Sequence, residues 1–191
     1  MDVPPPVALL HGYLVVLLAE RAAELVVSTR NTRRALATGG VEVGRGHYPA
    51  MVVFHAAFLA ACAVEPLLWP RDWPRAASLA ALTLALLAMA LRWWAVATLG
   101  ARWSTRIVVL PGLPLVTGGP YRVLRHPNYL AVVVELAAVP LIGGAVITAG
   151  LATLGNLLLL AVRIPAEERA LGAGRERALP GRPYPSPRDR P

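Results

Sequence analysis

The chain has 191 residues, of which 56% are hydrophobic and only 16% are charged, whereas an ordinary soluble domain carries about 25% charged residues. This composition excludes an ordinary soluble domain and indicates a single domain, 1–191, in contact with lipid. Every basic residue is an arginine. The formal net charge of +8 therefore indicates membrane lipids as partners rather than nucleic acid. The single cysteine, Cys62, excludes an internal disulfide and a multi-cysteine metal site, and we predict no metal.

Three apolar segments, at about 7–27, 48–69 and 76–98, approach the ~20 residues that a spanning helix needs. They define an N-terminal three-helix part, residues 1–99. In the first segment, Glu20, Glu24, Ser28 and Asn31 are spaced four, four and three apart, so a helix places them on one face. Because this polar face is costly in lipid, we expect it to face the interior of the bundle near one membrane surface.

The catalytic core, residues 100–171, contains a polar loop followed by an apolar stretch at 128–162. That stretch is too long for one span of ~20 residues and predicts a tight helical hairpin that turns near 140–144. The tail at 172–191 is rich in arginine, proline and glycine and is predicted to be flexible. The predicted fold class is an all-α integral membrane protein with about five transmembrane helices, the last two forming the hairpin.

The arginines predict the orientation of these helices. If the N-terminus is outside, Arg71 and Arg75 are the only loop arginines on the outer side, and all the others fall on the inner side. The positive-inside rule therefore predicts an N-out, C-in protein of the cytoplasmic membrane whose central loop, 113–129, faces the cytoplasm.

The central loop ends in a run of binding side chains from Arg125 to Tyr129. A helix start explains Pro127 and the basic interface residues, but it does not explain why His126, Asn128 and Tyr129 stand together. Glu135 lies about two turns into the fourth segment, where a carboxylate is costly unless it is paired or faces a wet cavity. We predict that Glu135 and Arg125 contact the substrate.

A second polar group follows the fifth segment. Asn156, Arg163 and Glu167 are seven and four residues apart, so they share one helical face, and Glu168 is adjacent. An ion pair between Arg163 and Glu167 at the membrane boundary is the alternative interpretation. An amide in a run of leucines, however, requires a partner. Motifs of nucleotide-hydrolysing, zinc-dependent and Rossmann-type proteins do not occur in the sequence.

The runs Leu115-Val116-Thr117-Gly118-Gly119-Pro120-Tyr121 and Arg125-His126-Pro127-Asn128-Tyr129, with Asn156, Arg163, Glu167 and Glu168, resemble the signature of the isoprenylcysteine carboxyl methyltransferase family. These are membrane enzymes that use S-adenosylmethionine. Residues 20–31, 47–51 and 99–106 are similar to a bacterial branch that is associated with type III polyketide synthases and O-methylates alkylpyrones.

The resemblance implies a site for the methyl donor and a site for a lipophilic acceptor. It implies that Arg163 holds the anionic group of the acceptor and that Glu167 binds the donor, and we take both as catalytic residues. The residues implied for the donor are Pro114, Leu115, Val116, Tyr121, His126, Pro127, Asn128, Tyr129, Asn156, Glu167 and Glu168.

The chemistry of these residues suits methyl transfer without a general base. A carboxylate acceptor has a pKa of about 4 and is already ionised at neutral pH, so the site has only to align the reactants and exclude water. Arg163 offers a bidentate contact to an anion. Glu167 offers acceptors for hydroxyl or ammonium groups.

Two other functions stay open at the level of the sequence. NADPH-dependent membrane reductases of the steroid-reductase-like type also carry an Arg-His-Pro-Asn-Tyr run, but Gly-Glu follows soon after it, whereas Leu130, Ala131 and Val132 follow here. The other alternative is a non-enzymatic membrane module, for which substitution of His126 or Arg163 has no effect on ligand binding.

Overall fold

The computed structural model describes residues 4–176. Five long helices account for most of them: α1 (Pro5–Ala37), α2 (Tyr48–Leu68), α3 (Arg75–Leu99), α4 (Pro127–Leu141) and α5 (Val146–Glu176). One helix lies on each of the five predicted apolar segments, so the mostly helical architecture agrees with the predicted fold class.

Three helical stretches in the described chain are long and apolar enough to cross a membrane: Tyr48–Leu68, Arg75–Arg102 and Val146–Gly172. α1 is long but carries Glu20, Arg21 and Glu24 within it, and α4 has only 15 residues. The long apolar helices identify a membrane protein. The number of five spans and the N-out, C-in orientation stay predictions.

One end of the bundle, which we call the closed end, is the α4–α5 turn with the neighbouring ends of α2 and α3. The predicted hairpin is present, because α4 ends at Leu141 and α5 begins at Val146. Gly144 has a φ of +75°, and a Cβ there would lie 2.9 Å from Cγ of Trp73. Glycine therefore permits both the turn and its packing.

The buried Glu65 of α2 fastens this turn. Its carboxylate accepts hydrogen bonds from the backbone N–H groups of Ile147 at 3.1 Å and Thr148 at 2.7 Å, which a helix start leaves without an intrahelical partner. Arg71 donates to the same carboxylate at 2.7 Å and to the carbonyl of Gly144 at 3.2 Å. Glu65 thus fixes α5 to α2.

The polar stripe on α1 faces the interior of the bundle, as predicted. Glu24, Ser28 and Asn31 are buried. Asn31 Nδ2 donates to the carbonyls of Gly100 at 3.0 Å and Trp103 at 2.9 Å, so α1 holds the loop that follows α3.

A short antiparallel ribbon, which the sequence did not predict, lies at the opposite end of the bundle, the open end. Strand β1 (Val41–Val43) pairs with β2 (Ile107–Val109), and Val41 stands opposite Val109. The ribbon joins the loop after α1 to the loop after α3.

The final helix runs further than the sequence predicted. α5 continues to Glu176, so the backbone at 172–176 is helical where the flexible tail was expected to begin. The good helix formers Ala170 and Leu171 extend an already formed long helix, in which each of the two glycines that follow, Gly172 and Gly174, costs about 1 kcal/mol. The rest of the predicted tail lies outside the described residues.

Candidate active site

A cavity of about 250 Å³ lies at the open end, between the end of α1, the loops after α3, the start of α4 and the second half of α5. It brings most of the predicted site residues together across a long stretch of sequence. Those that line it are Pro114, Leu115, Val116, Tyr121, Arg125, His126, Pro127, Asn128, Tyr129, Arg163 and Glu167.

The hydroxyl of Tyr129 joins the two predicted groups of residues. It donates a hydrogen bond to a carboxylate oxygen of Glu167, and Nε of Arg163 donates to it at 2.9 Å. In the described part of the chain Arg163 and Glu167 form no direct ion pair, because the phenol lies between them. The alternative interpretation of a simple pair along α5 is therefore wrong.

Arg163 is held by uncharged partners. One terminal nitrogen donates to the carbonyl of Thr105 at 2.6 Å, and the other lies 3.2 Å from the sulfur of Met51, a weak acceptor. Its guanidinium carbon lies 5.7 Å from the centre of the Tyr129 ring. Within residues 4–176 no carboxylate pairs with Arg163, so its charge favours an anion in the cavity.

The ring of His126 stacks on the ring of Tyr129. Its ring centre lies 5.3 Å from that of Tyr129, at an interplanar angle of 25°. Its Nε2 lies 3.2 Å from a carboxylate oxygen of Glu168. Glu168 was predicted to bind the cofactor, but the structure places it behind His126 rather than on the cavity wall, where it fixes the orientation of the ring.

Tyr121 enters the cavity from a short turn of the loop. Burial is the main cause that raises the pKa of Tyr121 to about 12, and the nearby Glu167 carboxylate adds to it. The phenol therefore stays protonated at neutral pH and is available as a donor. The turn depends on Gly119, whose φ is +52° and whose added Cβ would lie 3.1 Å from Nε1 of Trp94.

Besides Glu168, two further predicted residues lie away from the cavity lining. Glu135, predicted to contact substrate, is buried and accepts from Arg92 at 2.7 Å and from Arg21 at 3.3 Å. The sequence left two environments open for this carboxylate, an ion pair or a wet cavity. The structure shows the ion pair. Asn156, predicted to bind the cofactor, is buried within α5, nearly two turns before Arg163, and its Nδ2 has no partner among the described residues.

The loop after α3 supplies a wall that sequence reasoning missed. Trp103, Ile107 and Val109 are buried and line the cavity with Leu110. The sequence of β2 is Ile-Val-Val, and such β-branched residues favour a strand, but a run of three residues is too short to predict one.

Together, these residues form a site with one apolar wall and one polar wall. A guanidinium suits an anion, a carboxylate suits hydroxyl or ammonium groups, and aromatic faces suit a cation. The apolar wall suits a lipophilic molecule.

Comparisons with known proteins bear on what this site does. The sequence profile of the isoprenylcysteine carboxyl methyltransferase (ICMT) family matches residues 81–173. The uncharacterized protein YpbQ of Bacillus subtilis is 37% identical over 158 residues, which cover 83% of this chain and 94% of that protein. An uncharacterized protein of Haemophilus influenzae is 29% identical over 156 residues, which cover 81% of this chain and 90% of that protein. Apart from Ala35, every residue that lines the cavity falls inside the segment that the family profile matches.

Proposed function

Because the chain belongs to the isoprenylcysteine carboxyl methyltransferase family, we propose that it is a membrane O-methyltransferase that uses S-adenosylmethionine. The proposed acceptor is a lipophilic molecule that reacts through an anionic oxygen, either a carboxylate or an enolate. Family membership supports a membrane methyltransferase, and the donor and acceptor are part of the proposal.

One observation carries the proposal: the hydroxyl of Tyr129 is hydrogen-bonded to both Arg163 and Glu167. Arg163 is predicted to hold the methyl acceptor, and Glu167 is predicted to bind the methyl donor. Arg163 and Glu167 are thereby set side by side on one cavity wall. Two reactants bound there would meet without a further rearrangement of the chain. Such alignment is the main requirement of a transfer that needs no general base.

The residues of the cavity fit the methyl donor. Glu167 offers carboxylate oxygens to hydroxyl or ammonium groups, and Tyr121 offers a protonated phenol. The stacked rings of His126 and Tyr129 offer an aromatic surface to a cation. When bound, S-adenosylmethionine supplies an activated methyl group on a sulfonium. The protein orients the reactants and excludes water.

Arg163 is proposed to hold the acceptor anion. Its terminal nitrogen beside Met51 has only the weak sulfur contact, so an oxygen anion replaces that contact at little cost. The chain of a lipophilic acceptor would lie along the apolar wall. Leu113, which is 45% exposed, extends this wall to the mouth of the cavity, where we propose that the acceptor enters from the bilayer.

We also propose that the cavity faces the cytoplasm. Support comes from the arginines of the loops around it, including Arg102, Arg106 and Arg125, since basic loops favour the cytoplasmic side.

The test uses the full chain purified in lipid nanodiscs. Binding of S-adenosylmethionine and of NADPH is measured by calorimetry. Transfer of a labelled methyl group is then measured with a farnesylcysteine analogue and with a long-chain alkylpyrone as separate acceptors. We expect donor binding and labelling of one acceptor class. Binding of NADPH without S-adenosylmethionine would favour a reductase, and binding of neither would favour a non-enzymatic module; both results overturn the proposal.

A further inference from the structure

Five charged side chains lie between α1, α3 and α4, away from the cavity lining, and three of them, Glu24, Arg92 and Glu135, are buried. We call them the ion cluster: Glu20, Arg21, Glu24, Arg92 and Glu135. A buried charge is stable only when it is paired. Ion pairing within the cluster, however, does not explain why one of its members also contacts a residue of the cavity wall.

Arg92 is the member of the ion cluster that makes this contact. This arginine of α3 is 4% exposed and donates to Glu135 at 2.7 Å and to Glu24 at 3.3 Å. The terminal nitrogen that bonds Glu24 also donates to Oδ1 of Asn128 at 3.4 Å. Asn128 lines the cavity, so one guanidinium connects the ion cluster to the wall of the site.

The hydrogen bond from Arg92 determines which atom of the Asn128 amide is available to a ligand. A guanidinium only donates hydrogen bonds, so the amide oxygen must face Arg92. The amide nitrogen then lies on the other side of the group with its two N–H donors. No partner for that nitrogen occurs among the described residues, which leaves it available to a ligand in the cavity.

We propose that Arg92 is a positioning residue that orients Asn128 so that its amide nitrogen donates to the methyl donor. The two carboxylates hold the guanidinium from α1 and α4, and the guanidinium holds the amide. This inference rests on the proposed function, because it assigns the ligand of Asn128 as S-adenosylmethionine.

Arg21 provides a matched control. It belongs to the same cluster and pairs with Glu24 at 2.5 Å and with Glu135 at 3.3 Å, but it does not contact Asn128. Arg92→Gln and Arg21→Gln each remove one positive charge from the cluster. We expect both variants to melt at a lower temperature than the wild type when ligand-free.

Affinity for S-adenosylhomocysteine, measured by calorimetry on full-length protein in nanodiscs, separates the two roles. We expect Arg92→Gln to weaken binding about ten-fold, the effect of one lost hydrogen bond, and Arg21→Gln to change it less than about two-fold. When Arg92→Gln is introduced into the Asn128→Ala variant, we expect a further loss of affinity of less than about two-fold, because the two residues act through one contact. Equal loss in both charge variants, or an additive effect with Asn128→Ala, would overturn the inference.

The double variant Arg92→Gln/Glu135→Gln covers the case in which Arg92→Gln does not fold. Removing both partners of an ion pair avoids an uncompensated buried charge. We expect stability to return while the affinity stays low. If the affinity returns as well, Arg92 is a structural residue only. If the wild type itself binds neither S-adenosylmethionine nor S-adenosylhomocysteine, the proposed function fails instead.

Discussion

Each end of the bundle has an arginine in contact with buried groups, and the two arginines have different partners. At the closed end Arg71 donates to the carboxylate of Glu65 at 2.7 Å and to a backbone carbonyl of the turn. At the open end Arg163 donates to a phenol, a backbone carbonyl and a thioether sulfur.

The partners differ in chemistry, because Arg71 pairs with a carboxylate and Arg163 binds uncharged groups. Under the proposed function, this difference separates a structural arginine from one that binds a ligand. The carboxylate beside Arg71 neutralises its charge, and the bond from Arg71 to the carbonyl of Gly144 ties the α4–α5 turn to the loop after α2. Within the described part of the chain, the partners of Arg163 are uncharged and orient its guanidinium without a direct ion pair. Under the proposed function, an anionic ligand at the open end takes the place that Glu65 has at the closed end.

Replacing each arginine is expected to give the largest effect. Arg163→Gln should lower kcat/KM for the acceptor by roughly 10- to 100-fold, the loss expected for a hydrogen bond to a charged group, with little change in the melting temperature. Arg71→Gln should leave kcat/KM within about two-fold and lower the melting temperature by a few degrees. Transfer of labelled methyl and thermal unfolding measure the two quantities. Equal loss of activity in both variants would remove the distinction.

The carboxylates of Glu167 and Glu65 test the same difference between the two ends. Glu167→Gln should weaken donor binding by about ten-fold, because the neutral amide lacks the charge that strengthens bonds to hydroxyl and ammonium groups. Glu65→Gln should leave donor binding unchanged and destabilise the protein by roughly 1–3 kcal/mol, because buried backbone donors at the start of α5 lose their charged acceptor. Calorimetry and thermal unfolding separate these outcomes. A fall in donor affinity with Glu65→Gln would contradict the assignment of the closed end to structure.

The smallest expected effect concerns the Tyr121 hydroxyl at the open end. Tyr121→Phe removes only this hydroxyl, so donor affinity should fall by roughly 2- to 10-fold, the effect of one neutral hydrogen bond. The raised pKa of Tyr121, about 12, keeps the phenol protonated well above neutral pH. The pH profile of donor binding between about pH 6 and 9 should therefore have the same shape in both proteins. A step that disappears in the variant would show that the phenol titrates in this range.

Local sequence signals predicted the helices and much of the site. Apolar segment length located all five helices, and helical spacing placed Arg163 and Glu167 on one face. The run from Arg125 to Tyr129 lies on the cavity because a helix start brings its residues to the end of the bundle.

Contacts between residues that are far apart in the sequence could not be predicted from local sequence patterns. The bond from Tyr129 to Glu167 joins two helices, and no periodicity within either one indicates it. The same holds for Glu135, whose partners Arg21 and Arg92 lie on α1 and α3. The pairing of Val41 with Val109 likewise depends on how α1 and α3 pack, so the ribbon was missed.

The antiparallel ribbon also bears on how the family segment works as a unit. Residues 81–173 contain β2, but its only partner strand in the described chain, β1, lies before that segment. Met51 and Glu24, which contact Arg163 and Arg92, lie before it as well. Cut out alone, the segment would expose an unpaired strand edge and a buried arginine without half of its counter-charge. Residues 1–80 therefore stabilise a cavity that they hardly line, and we expect residues 81–173 alone to melt at a lower temperature than the full chain in nanodiscs.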